Sequence, residues 1–268
     1  MVPFRAMFDV IDAFLAIPTP LIVVSVLLFW ALIAYVVHTF VVPSLCGKDG
    51  QKLGKFEAEV TSQIALAFGL LISFNAVWLW DRSERVRGAI FDEAAALSRI
   101  VDDAEDLAAD GSPELAARRD AICGAIKTYA EYLIQDEWPT LQEGTTDRAR
   151  PAALSALRAV VRVSGDEAMR DSLVLAEAAR DLRIREGLQH MQPPRWGVVF
   201  LLAVLLLISI GALHGEAPRG RKLALTLVTL AVAFCFAVLF VSARPFVGTY
   251  AMQPDELRNV AFRAGTEH

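Results

Sequence analysis

The sequence predicts an all-α polytopic membrane protein: four transmembrane helices in two pairs, with a helical cytoplasmic insert between the pairs. Three observations carry this. Four apolar stretches, at 21–42, 64–80, 197–213 and 223–241, are between 17 and 22 residues long and contain no Asp, Glu, Lys or Arg, enough to cross the ~30 Å hydrocarbon core of a bilayer. Hydrophobic residues make up 55% of the chain and mean hydropathy is +0.43, yet 21% of residues are charged, most of them between Asp81 and Arg195. No segment shows the period-two alternation of a half-buried strand.

The first element is residues 1–20. Phe4, Phe8, Ile11 and Leu15 recur at spacings of 4, 3 and 4, with Arg5, Asp9 and Asp12 off that stripe. This predicts an interfacial amphipathic helix that ends at Pro18 and Pro20. A cleaved leader fits poorly, because the apolar run that follows is too long for one and its flank carries no excess of bases over acids. The first transmembrane pair occupies 21–80. Pro43-Ser44-Leu45-Cys46 invites comparison with a lipoprotein site, but Leu precedes the cysteine and a long mature-looking chain precedes the motif.

The insert covers 81–196. Nothing from Glu57 to Asp110 breaks a helix except single glycines, so the second span is expected to continue as one rod about 80 Å long. Ile90, Ala94, Leu97, Val101, Ala104 and Ala108 alternate at 4 and 3, the spacing of a helix–helix seam open to partner chains. Gly111 ends the rod, and Ser112-Pro113-Glu114 starts the next helix as N-cap, N1 proline and N2 acid. Ile122, Ile126, Tyr129 and Leu133 repeat the seam until Pro139 stops that helix. Pro151 opens a short helix with Leu154, Leu157 and Val161 inward. Gly165 separates it from a last one with Met169, Leu173 and Ala176 on one face and Leu175 and Leu182 beside them. The second pair fills 197–243, and 244–268 is a tail.

Four spans put both termini and the insert on one side. Arg82, Arg85, Arg87, Arg180, Arg183, Arg185 and Arg195 flank the spans there, with Arg5 and Arg244, against Lys48, Lys52, Lys55, Arg219, Arg221 and Lys222 on the loop side. The balance assigns the insert to the cytoplasm, with membrane lipids as the surroundings of the spans.

Net charge of −5 with no basic stripe excludes a nucleic-acid partner. Cys46, Cys123 and Cys235 are too few and too scattered for a disulfide framework or metal site. His38, His190, His214 and His268 share no metal-binding spacing, and no P-loop, GxGxxG, GxSxG or HExxH occurs. An enzyme, a metal and a cofactor are therefore not expected. His38 reads as an interfacial, snorkelling side chain before a proton sensor. Asp102, Asp103, Glu105, Asp106 and Asp110 fail the EF-hand pattern and read as a solvated helix face.

The second span holds the candidate pore lining. At 100° per residue Ser62, Gly69, Ser73 and Ala76 form one small, weakly polar stripe, while Asn75 lies nearly opposite, near Phe68 and Ile64. Such stripes commonly mark close helix packing. One of the two faces, with Ser62, Phe68, Gly69, Ser73 and Asn75 as its candidates, could instead line an axial path gated by dewetting.

Several strings then resemble the bacterial bestrophin-like membrane family, a domain of unknown function. They are Phe68-Gly69-Leu70-Leu71-Ile72-Ser73-Phe74, Asp92-Glu93-Ala94, Tyr132 with Glu137-Trp138-Pro139, and Arg244-Pro245-Phe246-Val247-Gly248 with Pro254 beyond. The resemblance runs from about Val60 to Val260. Where the family usually carries an acid before Arg-Pro-Phe, Ser242 and Ala243 stand here. The family is distantly similar to bestrophins, oligomeric anion channels. That resemblance implies a homo-oligomer conducting small ions such as chloride through an axial pore lined by the second span. It leaves calcium gating behind, since only Asp255 and Glu256 follow the last span where bestrophins carry an acidic clasp. Trp138 is expected as a buried anchor, Arg244 as a charge at a helix end, and Pro245, Phe246 and Gly248 as a tight return of the chain. The competing reading is a non-conducting scaffold or sensor acting through its insert.

Overall fold

A computed structural model describes residues 18–47, 56–109, 112–147, 149–189, 193–248 and 251–266. Residues 1–17 of the expected 1–20 helix, with its Phe4–Leu15 stripe, and Lys48, Lys52, Lys55, Asp110, Gly111, His190 and His268 lie outside them, while Pro18 caps and Thr19 and Pro20 begin the first described helix. The described residues form helices and turns without a strand: α1 (Thr19–Val36), α2 (Val42–Cys46), α3 (Ala58–Ala108), α4 (Pro113–Tyr132), α5 (Trp138–Glu143), α6 (Ala152–Ser164), α7 (Glu167–Gly187), α8 (Pro193–Leu213), α9 (Pro218–Ser242) and α10 (Asp255–Gly265). Four helices among them are long and apolar enough to span a bilayer: the α1–α2 run, α3, α8 and α9. The protein is an all-α polytopic membrane protein.

The second span does continue without a break: α3 has 51 residues, about 76 Å at 1.5 Å per residue. The chain divides into two compact units, one of Met1–Asp81 with His190–Arg244, the other of Arg82–Gln189 with Pro245–His268. The tail therefore packs with the insert, through Leu257, Val260 and Ala264 of α10 against α4.

The membrane unit is built inside-out. Trp30 is buried with its ring 5.3 Å from Phe200 and 4.9 Å from Phe236. Phe68, Ile72, Val199, Ala203, Leu207, Val232 and Phe236 join the same core. Leu28, Leu32, Leu66, Phe74, Leu227 and Phe234 point outward. Lipid tails are as apolar as leucine, so close packing rather than exclusion from water holds such helices together. At Gly211 this packing is tight: a Cβ there would stand 2.5 Å from Val42 Cγ2.

In the other unit the 90–108 seam has its partner inside the same chain. Ile90, Ala94, Leu97, Val101 and Ala104 are buried in one core with Ile122, Ile126, Tyr129 and Leu133. From Ile90 to Ala104 the seam is therefore covered by the core of its own unit, while Ala108 stays half-buried.

One proline behaves differently from the sequence expectation, and a second shares its surroundings. Pro139 does not stop its helix. A π-helical turn at Leu133–Glu137 precedes it and α5 carries on to Gly144, whose φ of 75° ends the helix. The first span repeats the device, with a π-helical turn at Val37–Val41, then Pro43 and a stop at Gly47. One extra residue in the turn loosens the ladder where proline lacks its N–H, so the helix passes through.

Candidate functional site

Along the membrane stretch of α3 the two candidate faces part. Phe68 and Asn75 are buried within the unit, whereas Ser62 and Ser73 are exposed and Gly69 is half-buried. Each polar group bonds back into its own helix. Ser62 Oγ donates to the Ala58 carbonyl at 3.1 Å, Ser73 Oγ to Gly69 at 2.7 Å and Asn75 Nδ2 to Leu71 at 2.8 Å. This satisfies donors where no water is available to do so. The exposed side presents hydroxyl oxygens and a glycine between the large side chains Leu66, Leu70, Phe74 and Val77.

The insert holds a feature that the sequence motifs do not announce. Arg183 Nε meets Glu93 Oε2 at 2.9 Å, and its Nη2 meets Glu137 Oε1 at 2.8 Å. Arg180 Nε donates to the other Glu137 oxygen at 2.8 Å, and Tyr129 Oη donates to Glu93 Oε1 at 3.0 Å. All four charged side chains are buried, those of Arg183 and Glu93 completely. The guanidinium of Arg183 lies 5.6 Å from the centre of the Trp138 ring. Two arginines balance two glutamates, so the cluster is neutral with every member ionised.

The electrostatics follow from that burial. Desolvation raises the Glu93 carboxyl, and Arg183 pulls it back. Desolvation opposes the charge on Arg183 as well, but Glu93 and Glu137 outweigh it and hold the guanidinium above its usual range. The pair is ionised, because an arginine held at these distances by two carboxylates keeps its proton. Tyr129 is pushed well above 10.0, first by burial and then by the Glu93 charge.

The sign of the Tyr129 effect on stability is fixed. Above about pH 10 the unfolded chain releases that phenolic proton while the folded chain keeps it, so stability falls as pH rises. Denaturation of the full chain in micelles between pH 9 and 11 should show this slope, and Tyr129→Phe should reduce it. An unchanged slope in the variant would place the phenol in water.

Trp138 and Phe246, from the Glu137-Trp138-Pro139 and Arg244–Gly248 strings, meet edge to face with centroids 5.2 Å apart. Gly187 lets Phe246 approach: a Cβ there would stand 2.5 Å from Phe246 Cε2. Arg82 closes the end of α7, donating to the Glu186 carbonyl at 2.7 Å and the Gly187 carbonyl at 3.0 Å. Pro139 is exposed; Gly248 takes a φ of 101°, which favours glycine at that return; Arg244 is the last residue of the membrane unit and Pro245 the first buried one after it.

The sequence carried a sign of the cluster. Met169, Leu173, Ala176, Arg180 and Arg183 continue one alternation of 4 and 3 along α7, so the two arginines hold core positions. Read as topology signals, Arg82, Arg180 and Arg183 look like surface charge. The structure buries all three. A charge on a core stripe asks for an opposite charge on the facing stripe; Glu93 sits on the stripe of α3, and Glu137 continues that of α4.

The acidic run behaves as a helix face. Asp102 pairs with Arg263, which also lies 3.6 Å from Glu105. No group of three or more His, Cys, Asp or Glu among the described residues could hold a metal.

With this geometry in place, comparison with known proteins adds one match. The family model described as a Bestrophin-like domain covers residues 25–257. No curated protein and no solved structure matches the chain. The match takes in the first span from residue 25, the other three spans and the buried cluster; it starts earlier than the Val60–Val260 resemblance and ends three residues before it. The chain belongs to the bestrophin-like family.

Proposed function

We propose that the chain assembles as a homo-oligomer into a membrane ion channel that passes anions such as chloride. The carrying observation is the exposed face of α3 in the membrane unit. Ser62, Gly69 and Ser73 are not covered by the chain's own core, and their oxygens interrupt an otherwise greasy surface. Facing an axis, that stripe gives a narrow path with few charges, which opens and closes by wetting. Phe68 and Asn75 support this face from behind. The insert and termini are cytoplasmic in this proposal, and the membrane is the inner membrane of a bacterium.

Flux from liposomes tests it, with chloride measured beside potassium and empty vesicles as control. Chloride-selective flux is expected, and Ser73→Phe, which fills the stripe without touching the core, should reduce it severalfold. Cation flux would discard the anion assignment. No flux of either ion would favour the scaffold reading, and unchanged flux in Ser73→Phe would move the path to another surface.

A further inference from the structure

A groove on the membrane unit has one greasy stretch and one cationic end. It runs between α1 and α9 with a volume of about 570 Å³. Leu27, Leu28 and Ala31 line it from α1, and Leu225, Leu230 and Ala233 from α9. From Leu27 to His38 on one wall and from Lys222 to Ala233 on the other, the groove is about 17 Å long. That is roughly the depth of one bilayer leaflet, half of the ~30 Å core.

Its other end gathers Tyr35, His38 and Lys222. The positive charges of Arg221 and Lys222 both act on His38, and no carboxylate among the described residues contributes there. His38 Nδ1, Arg221 Nε and Thr229 Oγ1 are buried without a hydrogen-bond partner among the described residues. Thr229 lines the groove and is only 7% exposed. A helical threonine ordinarily bonds back to the preceding turn; this hydroxyl does not. Lys222 and Arg221 also sit in the first turns of α9, where the helix dipole adds positive potential.

We infer that this groove holds an anionic phospholipid, one acyl chain between α1 and α9 and the phosphate against Lys222, Arg221 and His38. Neighbouring cations beside unsatisfied donors call for an anionic oxygen. The greasy length beyond them excludes a small hydrated ion as the natural occupant. Exposed Leu28, Tyr35 and Leu230 border the groove and face the bilayer, so a lipid reaches it sideways. The inference concerns binding alone and stands whether or not the protein conducts.

The test is native mass spectrometry of the full chain in neutral detergent, with phosphatidylglycerol and phosphatidylcholine of identical acyl chains. The wild type should retain phosphatidylglycerol and lose phosphatidylcholine. Lys222→Glu should weaken retention of the anionic lipid about fivefold or more, with helix content and melting temperature unchanged. Ala31→Phe, which fills the slot and leaves every charge in place, should weaken it as well and reads the site even if the first variant folds poorly. Excess inorganic phosphate should not displace the lipid. Equal retention of the two lipids, undiminished binding in both variants, or displacement by phosphate would each overturn the inference.

Discussion

Arg183→Met is expected to cost about 3–5 kcal/mol of stability. The change removes the one guanidinium that reaches both Glu93 and Glu137. Arg180 continues to serve Glu137, but Glu93 keeps only the Tyr129 hydroxyl in a fully buried place. An uncompensated carboxylate there must either stay charged in a poor solvent or take up a proton, and both states lie above the wild-type cluster. Denaturant titration of the full chain in micelles measures the loss. Adding Glu93→Met to the first change should recover most of it, since a buried ion pair replaced by apolar groups is often close to neutral. Recovery stops short of complete because Tyr129 then keeps a buried hydroxyl without its acceptor, a cost of about 1–3 kcal/mol. A loss below about 1 kcal/mol in the single variant would mean that water reaches the cluster.

Phe246→Ala is the second large effect, expected at about 3–5 kcal/mol from a buried aromatic. Phe246 is 2% exposed, edge-on to Trp138, and seated over the bare backbone of Gly187. It is the first large apolar side chain after the last span, so losing it should free the return of the chain and with it α10. Hydrogen exchange across 251–266 should accelerate in the variant, while exchange within α8 and α9 should not. Trp138→Ala combined with Phe246→Ala should show a coupling of about 0.5–1.5 kcal/mol for the ring pair. Strict additivity would mean that the two strings act independently.

Both experiments probe the strings that carry the family resemblance. Glu137-Trp138 and Pro245-Phe246 are far apart in the chain, and their meaning emerges from their meeting. Trp138 receives Phe246 on its edge and lies beside Arg183, while Glu137 binds both arginines. The cluster is a structural clamp on α3, α7 and the turn after α4.

Sequence by itself determined the all-α class, the four spans and the unbroken α3. These depend on local quantities, namely the length of apolar runs, the absence of breakers and the period of the stripes. It also determined the N-terminal proline of α4 and the glycine after α6, because caps are read within a few residues. Only the tertiary structure decided the partner of each stripe. By its spacing the 90–108 seam could serve another chain, since periodicity says that a face is buried and not by what; in the fold its residues from Ile90 to Ala104 join the core of their own unit. The passage of Pro139 through its helix rests on a π-helical turn that propensity does not signal. The sides of α3 were legible as two faces, but their assignment was not. Phe68 and Asn75 turn inward and Ser62 and Ser73 outward because of helices far away in the chain. Arg180 and Arg183 looked like surface charge for the same reason. A charge is tolerated at a core position only where the fold brings an opposite charge to it, and Glu93 and Glu137 come from other helices.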